Sequence, residues 1–375
     1  MIYLTIVDIN TYSTWLEIDL NALKQNVAEV IKMTGTDVMA VIKANGYGHG
    51  MRPIAQACVA GGATWCGVAR IEEALALRRA GISTRILVLG FTPASKIPEA
   101  IEHNITVALF NAELAQTYLE YVRIHGGNLR AHVKVETGMG RLGMPVEVVT
   151  PFLRALKNSP IQVEGIFTHF ARADEPNSDS TPNQIRIFNT LLNELDSQGL
   201  KPEIVHAANS AAILNFPASY YDLVRPGDLI MGMAPDSAQP LPPQYKPTLT
   251  WKARLISVRN FPAGQGISYG STYVTRKEER IGVIPIGYGD GFRRVDNQQV
   301  LVGGKRVNIV GRVCMDQCML QLDDVPDAKI GDEVVLIGKQ GSEFISVDEV
   351  AQRWGTINYE VVCGLAERLP RIYGE

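Results

Sequence analysis

The residue of this chain best suited to covalent chemistry is Lys43, which lies between an apolar run and a glycine-rich loop. The apolar run, Val38–Ile42, is typical of a strand that is buried on both faces. The loop contains three glycines, which let backbone approach a ligand closely, and Tyr47, whose hydroxyl can donate to an anion. A lysine at the end of a buried strand loses solvent, and this favours reaction of its amine with a carbonyl group. A solvated lysine in a turn is the alternative that these residues alone leave open.

Other polar residues also stand at the ends of predicted strands. They are Lys134, Arg141, His169, His206, Ser210, Arg225 and Gly227. In a barrel of parallel strands, side chains from the carboxyl ends of separate strands meet at one face and form the active site. One polar residue at a strand end carries little information, whereas a set from separate strands indicates a shared site.

The elements that would position these side chains alternate between strands and helices from about residue 14 to 235. After Thr14–Asp19 and an amphipathic segment that begins at Leu20, eight strand-like runs follow, namely Asp37–Ala44, Ala63–Ala69, Arg85–Gly90, Ile105–Leu109, Leu129–Glu136, Val163–His169, Glu203–His206 and Tyr221–Val224. Helical patterns separate most of them, for example Ile71–Arg79, Ala112–His125, Pro145–Lys157 and Asn183–Ser197. Eight such units predict an α/β fold, a (β/α)₈ barrel of the TIM type. A dinucleotide site is unsupported, because no GxGxxG motif follows the first strand.

A change of composition near residue 240 predicts a second domain. Ser237–Lys246 is rich in proline and polar residues, which is typical of a linker. Short strands separated by glycine and aspartate turns follow, at Leu249–Val258, Arg280–Pro285, Gln299–Val302, Lys305–Val310, Gln317–Leu322 and Glu333–Ile337, and a helix is expected at Ser346–Trp354. We therefore expect a barrel domain of residues 1–240, with an N-terminal extension of residues 1–13, and a smaller, mainly β domain of residues 241–375.

Composition limits the classes of function that are open to the chain. Its 375 residues are 46% hydrophobic and carry a net charge of −3, which argues against nucleic acid as the main partner. No apolar stretch is long enough to span a membrane, and Met1–Asp8 lacks the basic region and cleavage site of a signal peptide, so a cytoplasmic location is expected. Five scattered cysteines form no disulfide framework, and we interpret Cys314 and Cys318 as buried apolar residues rather than metal ligands. No metal is expected.

Motifs along nearly the whole chain resemble those of the alanine racemase family, which uses pyridoxal 5'-phosphate (PLP) on a barrel of the fold III type. In the first part of the chain they are Trp15–Leu20, Val41–Gly50, Lys134–Arg141, Gly165–Phe170, His206–Ser210 and Val224–Gly227. In the second part they are Ser268–Tyr273, Gly287–Gly291, Gly311–Asp316, Thr356–Glu360 and Arg368–Tyr373. The family usually has alanine at the position of Gly46. Matches in this order across both predicted domains are far more specific than any single motif.

The resemblance implies a two-base racemisation. Lys43 would hold PLP covalently and act as one proton-transfer base. Tyr269, supplied by a partner subunit, would be the other base on the opposite face of the substrate Cα. His169 would hydrogen-bond this tyrosine and tune its basicity.

The resemblance also implies that Arg225 faces the pyridine nitrogen of PLP, with His206 supporting it. A guanidinium cannot yield its proton, so the ring nitrogen stays largely unprotonated and the ring withdraws fewer electrons. Protonation away from Cα is then suppressed, which favours racemisation over transamination.

The cofactor phosphate would meet hydroxyls and backbone amides at the barrel rim. The implied residues are Tyr47, Asn209, Ser210, Gly227, Asp228 and Tyr359. Asp228 departs from the apolar residue that is usual in the family, so only its backbone amide is assigned to the phosphate and its carboxylate is expected to point away.

The remaining implied residues bind the substrate. Arg141 would contact both the PLP phenolic oxygen and the substrate carboxylate, and carbamylation of Lys134 would orient Arg141. Met315 would give a backbone amide to the same carboxylate, while Tyr288 and Asp316 would line the access path from the partner subunit. The family match therefore implies a homodimer with shared active sites and a small amino acid as substrate.

The sequence thus favours a PLP-dependent alanine racemase that supplies D-alanine for peptidoglycan. A serine or broad-specificity amino-acid racemase is the nearest alternative. Tyr359 favours alanine as the substrate, because it leaves little space for a substrate hydroxyl. Gly289 stands at a position where the family commonly has an alanine residue, and this difference keeps the alternative open. A decarboxylase of the same architecture would place a carboxylate at the pyridine nitrogen, where this chain has Arg225. A non-catalytic PLP-binding protein would lack the β domain that carries Tyr269.

Overall fold

The computed structural model describes residues 11–235 and 240–374, which pack into two compact units. One unit spans Ala22–Lys246, and the other joins the described residues before Ala22 to those after Lys246. The expected division into residues 1–240 and 241–375 differs from this packing, because the strand at Thr14–Asp19 belongs to the second unit. Most of the predicted N-terminal extension 1–13 and the start of the linker Ser237–Lys246 lie outside the described residues.

The first unit is a nearly closed parallel barrel, as the sequence predicted. Its strands are β2 (Asp37–Val41), β3 (Trp65–Val68), β4 (Arg85–Val88), β5 (Thr106–Leu109), β6 (Leu129–Glu136), β8 (Ile161–Phe167), β9 (Ile204–His206) and β10 (Leu223–Val224), with a short β7 (Met144–Pro145) beside β6. Hydrogen bonds connect them in the order β10-β2-β3-β4-β5-β6-β8-β9. The backbone N–H of Asp222 donates to Val205 at 3.1 Å and that of Arg225 to Ala208 at 2.9 Å, which links the last strand to the first in this order.

Helices follow most barrel strands. They are α1 (Leu20–Thr34), α2 (Lys43–Tyr47), α3 (Met51–Ala60), α4 (Ile71–Arg79), α5 (Ile97–Glu102), α6 (Ala112–His125), α7 (Val146–Leu156), α8 (Ser180–Ser197) and α9 (Ser210–Asn215). Helix α6 forms where predicted because Asn111 caps its first turn, accepting from the Leu114 N–H at 2.7 Å, and because its apolar residues share one buried face. Helix α4 also has the predicted bounds.

The element α2 is a left-handed turn rather than an ordinary helix. Ala44, Asn45 and Tyr47 all have φ between 52° and 55°. Non-glycine residues pay roughly 1–2 kcal/mol each in this conformation. The turn is held by side chains, since Glu73 accepts from the Ala44 N–H at 2.7 Å and Asn45 accepts from the Met51 N–H at 2.8 Å. The predicted strand Asp37–Ala44 therefore ends early, at Val41, and Lys43 opens the strained turn.

The second unit is mainly β. Its strands are β1 (Thr14–Asp19), β11 (Leu249–Arg254), β12 (Ser257–Phe261), β13 (Gly266–Ile267), β14 (Tyr273–Val274), β15 (Glu279–Ile284), β16 (Gln299–Val302), β17 (Lys305–Val310), β18 (Cys318–Gln321), β19 (Glu333–Gln340), β20 (Glu343–Ile345) and β21 (Arg371–Gly374), with helices α10 (Val347–Trp354) and α11 (Asn358–Cys363). Strand β1 lies between β11, to which it is antiparallel, and β21, to which it is parallel. The predicted strand Leu249–Val258 is divided into two strands, because β11 pairs with β19 whereas β12 pairs with β15.

Two further observations concern membranes and cysteines. Among the described residues, every helix is too short or too polar to cross a bilayer. Cys318 is buried as expected, but Cys314 is only partly buried, so the expectation of a buried apolar role was wrong for Cys314.

Candidate active site

Four cationic side chains from the carboxyl ends of barrel strands surround His169. The pKa of His169 is lowered well below its usual value, first by burial and then by the positive charges of Arg225, Arg141, Lys134 and Lys43, in decreasing order. His169 is therefore neutral at physiological pH. A cluster of this kind is electrostatically unfavourable when empty, and it favours ligands that carry several negative charges.

Lys134 is an amine of this group whose pKa is strongly lowered. It is buried on β6, with 4% of its surface exposed. Burial is the largest cause that lowers its pKa, and repulsion from Arg141 and Arg225 lowers it further, to about 8. A substantial fraction of this side chain is therefore a neutral, nucleophilic amine slightly above neutral pH.

The nearby carboxylate of Glu136 acts to raise the pKa of Lys134, but it offsets only part of the effect of burial and of the neighbouring cations. Backbone groups also donate hydrogen bonds to this carboxylate. Its oxygen accepts from the Gly138 N–H at 2.5 Å. Burial acts to raise the pKa of Glu136, but the amides of Gly140, Gly138, Met139 and Arg141 outweigh this and hold it below the usual value. Glu136 thus fixes the loop that carries Arg141, which is exposed.

Arg225 is buried and held by four contacts. Its Nη2 donates to the carbonyl oxygens of Thr168 at 2.8 Å and Ala207 at 2.9 Å, and lies 3.2 Å from His169 Nδ1. Its Nη1 lies 2.9 Å from Nδ1 of His206. Burial lowers the pKa of Arg225 to about 9, so the guanidinium remains protonated at neutral pH. These contacts fix the plane of the guanidinium.

Small and hydroxylic residues lie together where β10 ends. The Ser210 hydroxyl accepts from the Gly227 N–H at 2.9 Å, and Asn209 caps α9 by accepting from the Ala212 N–H at 3.0 Å. A Cβ on Gly227 would lie 2.4 Å from the Tyr47 hydroxyl oxygen, so only glycine allows the tyrosine this position. Tyr47, Ser210 and Gly227 therefore converge. Their contact with the cofactor phosphate, which the family resemblance implies, stays a prediction. Asp228, the next residue, is buried.

The remaining predicted residues lie in the second unit. Tyr269, Met315 and Tyr288 are 68%, 54% and 47% exposed, Asp316 is exposed and Tyr359 is half-buried.

Backbone hydrogen bonds and the side chain of Arg368 connect two of the loops that carry these residues. The N–H groups of Tyr288 and Gly289 donate to the carbonyls of Cys314 and Met315 at 3.1 and 2.9 Å. Arg368 donates to Asp290 at 2.7 Å and to Asp316 at 2.8 Å. Tyr288, Met315 and Asp316 are thus brought together, with Arg368 as a partner that the sequence did not reveal.

Two further polar residues were not predicted from the sequence, namely the buried His132 and the half-buried Glu164. His132 Nδ1 lies 2.8 Å from His206 Nε2, and Glu164 accepts from the Thr106 hydroxyl at 2.8 Å. The signal for His132 was its spacing on β6, where it precedes Lys134 by two residues and so faces the same side.

Comparisons with known proteins find relatives along both units. The family model described as "Alanine racemase, N-terminal domain" matches residues 18–235, and that described as "Alanine racemase, C-terminal domain" matches residues 248–373. The chain is 44% identical to the alanine racemase of Symbiobacterium thermophilum, covering 96% of this chain and 97% of the relative. It is also 44% identical to that of Geobacillus kaustophilus, covering 96% of this chain and 94% of the relative.

Solved structures give the same result for the fold. The alanine racemase of E. faecalis is 39% identical with a TM-score of 0.92, over 97% of this chain and 99% of the other. That of Bacillus anthracis, with bound L-Ala-P, is 38% identical with a TM-score of 0.91, over 97% and 95%.

Proposed function

The chain belongs to the alanine racemase family and is an isomerase that interconverts L-alanine and D-alanine, and we propose that it does so with PLP and two bases, Lys43 and Tyr269. The observation that carries the proposal is the group of four cations at the carboxyl end of the barrel, next to the Tyr47, Ser210 and Gly227 cradle. The match to the family over both units supports the proposal.

The residues present fit PLP. A phosphate dianion suits the cradle, because hydroxyls and a backbone amide can donate to it without an added cation. A phenolate oxygen and a substrate carboxylate suit the Arg141 side, and the fixed guanidinium of Arg225 suits a neutral ring nitrogen. The bound cofactor would supply an electron sink for the pair left at Cα when its proton is removed.

In this reaction the protein removes one proton from Cα and returns another to the opposite face. The Lys43 amine takes or gives the proton on one face, and the Tyr269 phenol on the other. Two bases on opposite faces avoid the need for one group to cross the substrate plane. Arg225 keeps its proton at neutral pH, which keeps the charge at Cα and favours reprotonation there. A carboxylate in this position would instead favour a decarboxylase.

We assign alanine rather than serine as the preferred substrate. With PLP added, the purified protein is expected to racemise L-alanine with a kcat/KM at least about tenfold above that for L-serine, because one substrate hydroxyl in an apolar pocket costs about this much. Chiral chromatography of both reactions measures the ratio. Equal efficiencies would support the broad-specificity alternative, and carbon dioxide release from a basic amino acid would support a decarboxylase.

The proposal includes a homodimer in which the exposed Tyr269, Tyr288 and Met315 of one subunit complete the site of the other. It also includes a biosynthetic role in the cytoplasm, where D-alanine would be supplied for peptidoglycan. The exposure of these three side chains and the family match support the shared site.

We expect Lys134 to be carbamylated, because it is buried and repelled by the positive charge of Arg141. Only the neutral amine reacts with carbon dioxide, and the pKa near 8 makes that form abundant as pH rises through this value. The carboxylate that results would attract Arg141 instead of repelling it. We expect labelling by ¹³C-bicarbonate to increase between about pH 6 and about pH 9.

The label is read by ¹³C NMR and by mass spectrometry under non-denaturing conditions. The Lys134→Arg variant keeps the charge but cannot be carbamylated, and it should show no site-specific signal. Labelling of the parent protein that matches this control at every pH would contradict the assignment.

A further inference from the structure

A line of polar side chains crosses the barrel interior from Arg225 to the opposite end of the strands. Arg225 Nη1 meets His206 Nδ1 at 2.9 Å, and His206 Nε2 meets His132 Nδ1 at 2.8 Å. His132 Nε2 then lies 3.6 Å from Glu164 Oε1, slightly beyond hydrogen-bond length. Glu164 also accepts from Thr106 at 2.8 Å and pairs with Arg85 at 2.6 Å.

The chemistry of these groups fixes the direction of every hydrogen bond in the line. Arginine can only donate, so His206 Nδ1 must accept and its proton must be on Nε2. His206 Nε2–H then donates to His132 Nδ1, which leaves the His132 proton on Nε2, facing Glu164. Both imidazoles are neutral because burial, the largest cause, lowers the pKa of each. Burial acts to raise the pKa of Glu164, but the adjacent His132 ring, the hydrogen bond from Thr106 and the charge of Arg85 outweigh it and bring the pKa to about 2, so Glu164 is an anion.

The fold is adapted to hold this line. Strand β8 has a bulge, because Ala131 and His132 on β6 pair with Val163 and Gly165, and Glu164 is the extra residue between them. A bulge re-aims a side chain, and here it directs Glu164 toward His132. Gly165 is required as well, since a Cβ there would lie 2.5 Å from the His132 ring.

Aromatic rings complete the support. Phe167 stacks on His206 with ring centroids 4.7 Å apart, and Trp65 meets the His132 ring edge to face at 5.2 Å. Each imidazole is fully buried. A barrel interior is ordinarily filled by branched apolar side chains, so two histidines in this position indicate a specific function.

We propose that Glu164 is a positioning residue, which acts through His132 and His206 to keep Arg225 oriented toward the cofactor ring. The carboxylate stabilises the Nε2–H form of His132 and, through it, the Nε2–H form of His206. The other form of His206 would present an N–H to an arginine N–H inside a buried site, and the guanidinium would have to move. This inference rests on the proposed function in one respect, namely that Arg225 faces the ring of PLP.

The first test reads the tautomers directly. Protein labelled with ¹⁵N-histidine and prepared without PLP should show two buried histidines as neutral Nε2–H forms in long-range ¹H–¹⁵N spectra at neutral pH. Single substitutions at His132 and His206 assign the signals. A His206 signal with the proton on Nδ1 would overturn the proposal, whatever the activity of the protein.

The second test asks whether Glu164 acts through the histidines. Glu164→Gln removes the charge but keeps the shape, and it should populate the other tautomers and lower kcat about tenfold with KM for alanine nearly unchanged. In a His132→Phe background the same substitution should have no further effect, because the path to Arg225 is already interrupted. Additive effects on kcat would show that Glu164 does not act through His132.

Glu120→Gln is the matched control. It makes the same chemical change on the exposed surface of helix α6, so both tautomers and kcat should match the parent. Circular dichroism of each variant checks folding. Racemisation that persists with unchanged tautomers in Glu164→Gln would reject the positioning role while leaving the proposed function in place.

Discussion

Replacing Lys43 with alanine should abolish alanine racemisation, with kcat falling by roughly 10⁴-fold or more. The substitution removes both the covalent attachment of the cofactor and one of the two bases. Lys134, the other amine in the cluster, should not replace it, because it is buried on β6 and three strands separate β6 from β2. The phosphate cradle should still bind some PLP. Added cofactor should nevertheless not restore activity, because the covalent attachment and one of the two bases are missing.

Chiral assays with and without PLP measure this loss. Reduction with borohydride followed by peptide mass spectrometry should fix the cofactor to Lys43 in the parent protein and to no residue in the variant. Lys201→Ala, which removes an exposed lysine far along the chain, is the matched control and should behave as the parent. Racemisation by Lys43→Ala at the parent rate would overturn the assignment of the base.

Replacing Tyr269 with phenylalanine should lower racemisation by about 10³-fold, yet leave part of the chemistry intact. Lys43 still serves one face of Cα. In deuterated water the variant should therefore exchange the Cα hydrogen of one enantiomer of alanine while it leaves the other enantiomer nearly unlabelled. Proton NMR of each enantiomer reads the exchange. Equal exchange of both enantiomers would contradict a base on each face.

The two inactive variants together test whether Tyr269 acts in its partner's site. In a mixed dimer of Lys43→Ala and Tyr269→Phe subunits, a shared arrangement makes one of the two sites intact. Random exchange of subunits should then restore about one quarter of the parent activity. If Tyr269 served its own subunit, every site in the mixture would lack one base. The mixture would then remain inactive.

The barrel could be predicted from sequence because its signals are local. Buried parallel strands are continuous apolar runs, and Leu129–Glu136 has the predicted bounds. The capped, amphipathic helix Ala112–His125 also has the predicted bounds. The partners of Thr14–Asp19 could not be predicted, because they lie more than two hundred residues further along the chain and no local pattern indicates them.

The cationic residues of the candidate site could also be predicted, because each ends a recognisable strand and matches a family motif. The interior line could not. Glu164 faces His132 only because a bulge shifts the alternation of β8 by one residue, and a simple period of two would point Glu164 elsewhere. Nor does sequence reveal that the left-handed turn opens at Lys43, since Ala44 and Asn45 rarely adopt that conformation.

The position of β1 has a consequence for how the chain folds as it is synthesised. The barrel unit is one uninterrupted segment, so its strands can pair as they leave the ribosome. Strand β1 emerges before all of them, yet its two neighbours, β11 and β21, come from the last third of the chain. Until then it is an unpaired apolar edge, and such edges promote aggregation. Completion of the second unit therefore has to wait for the end of translation, and a chain that stops before β21 leaves β1 without one of its two partner strands.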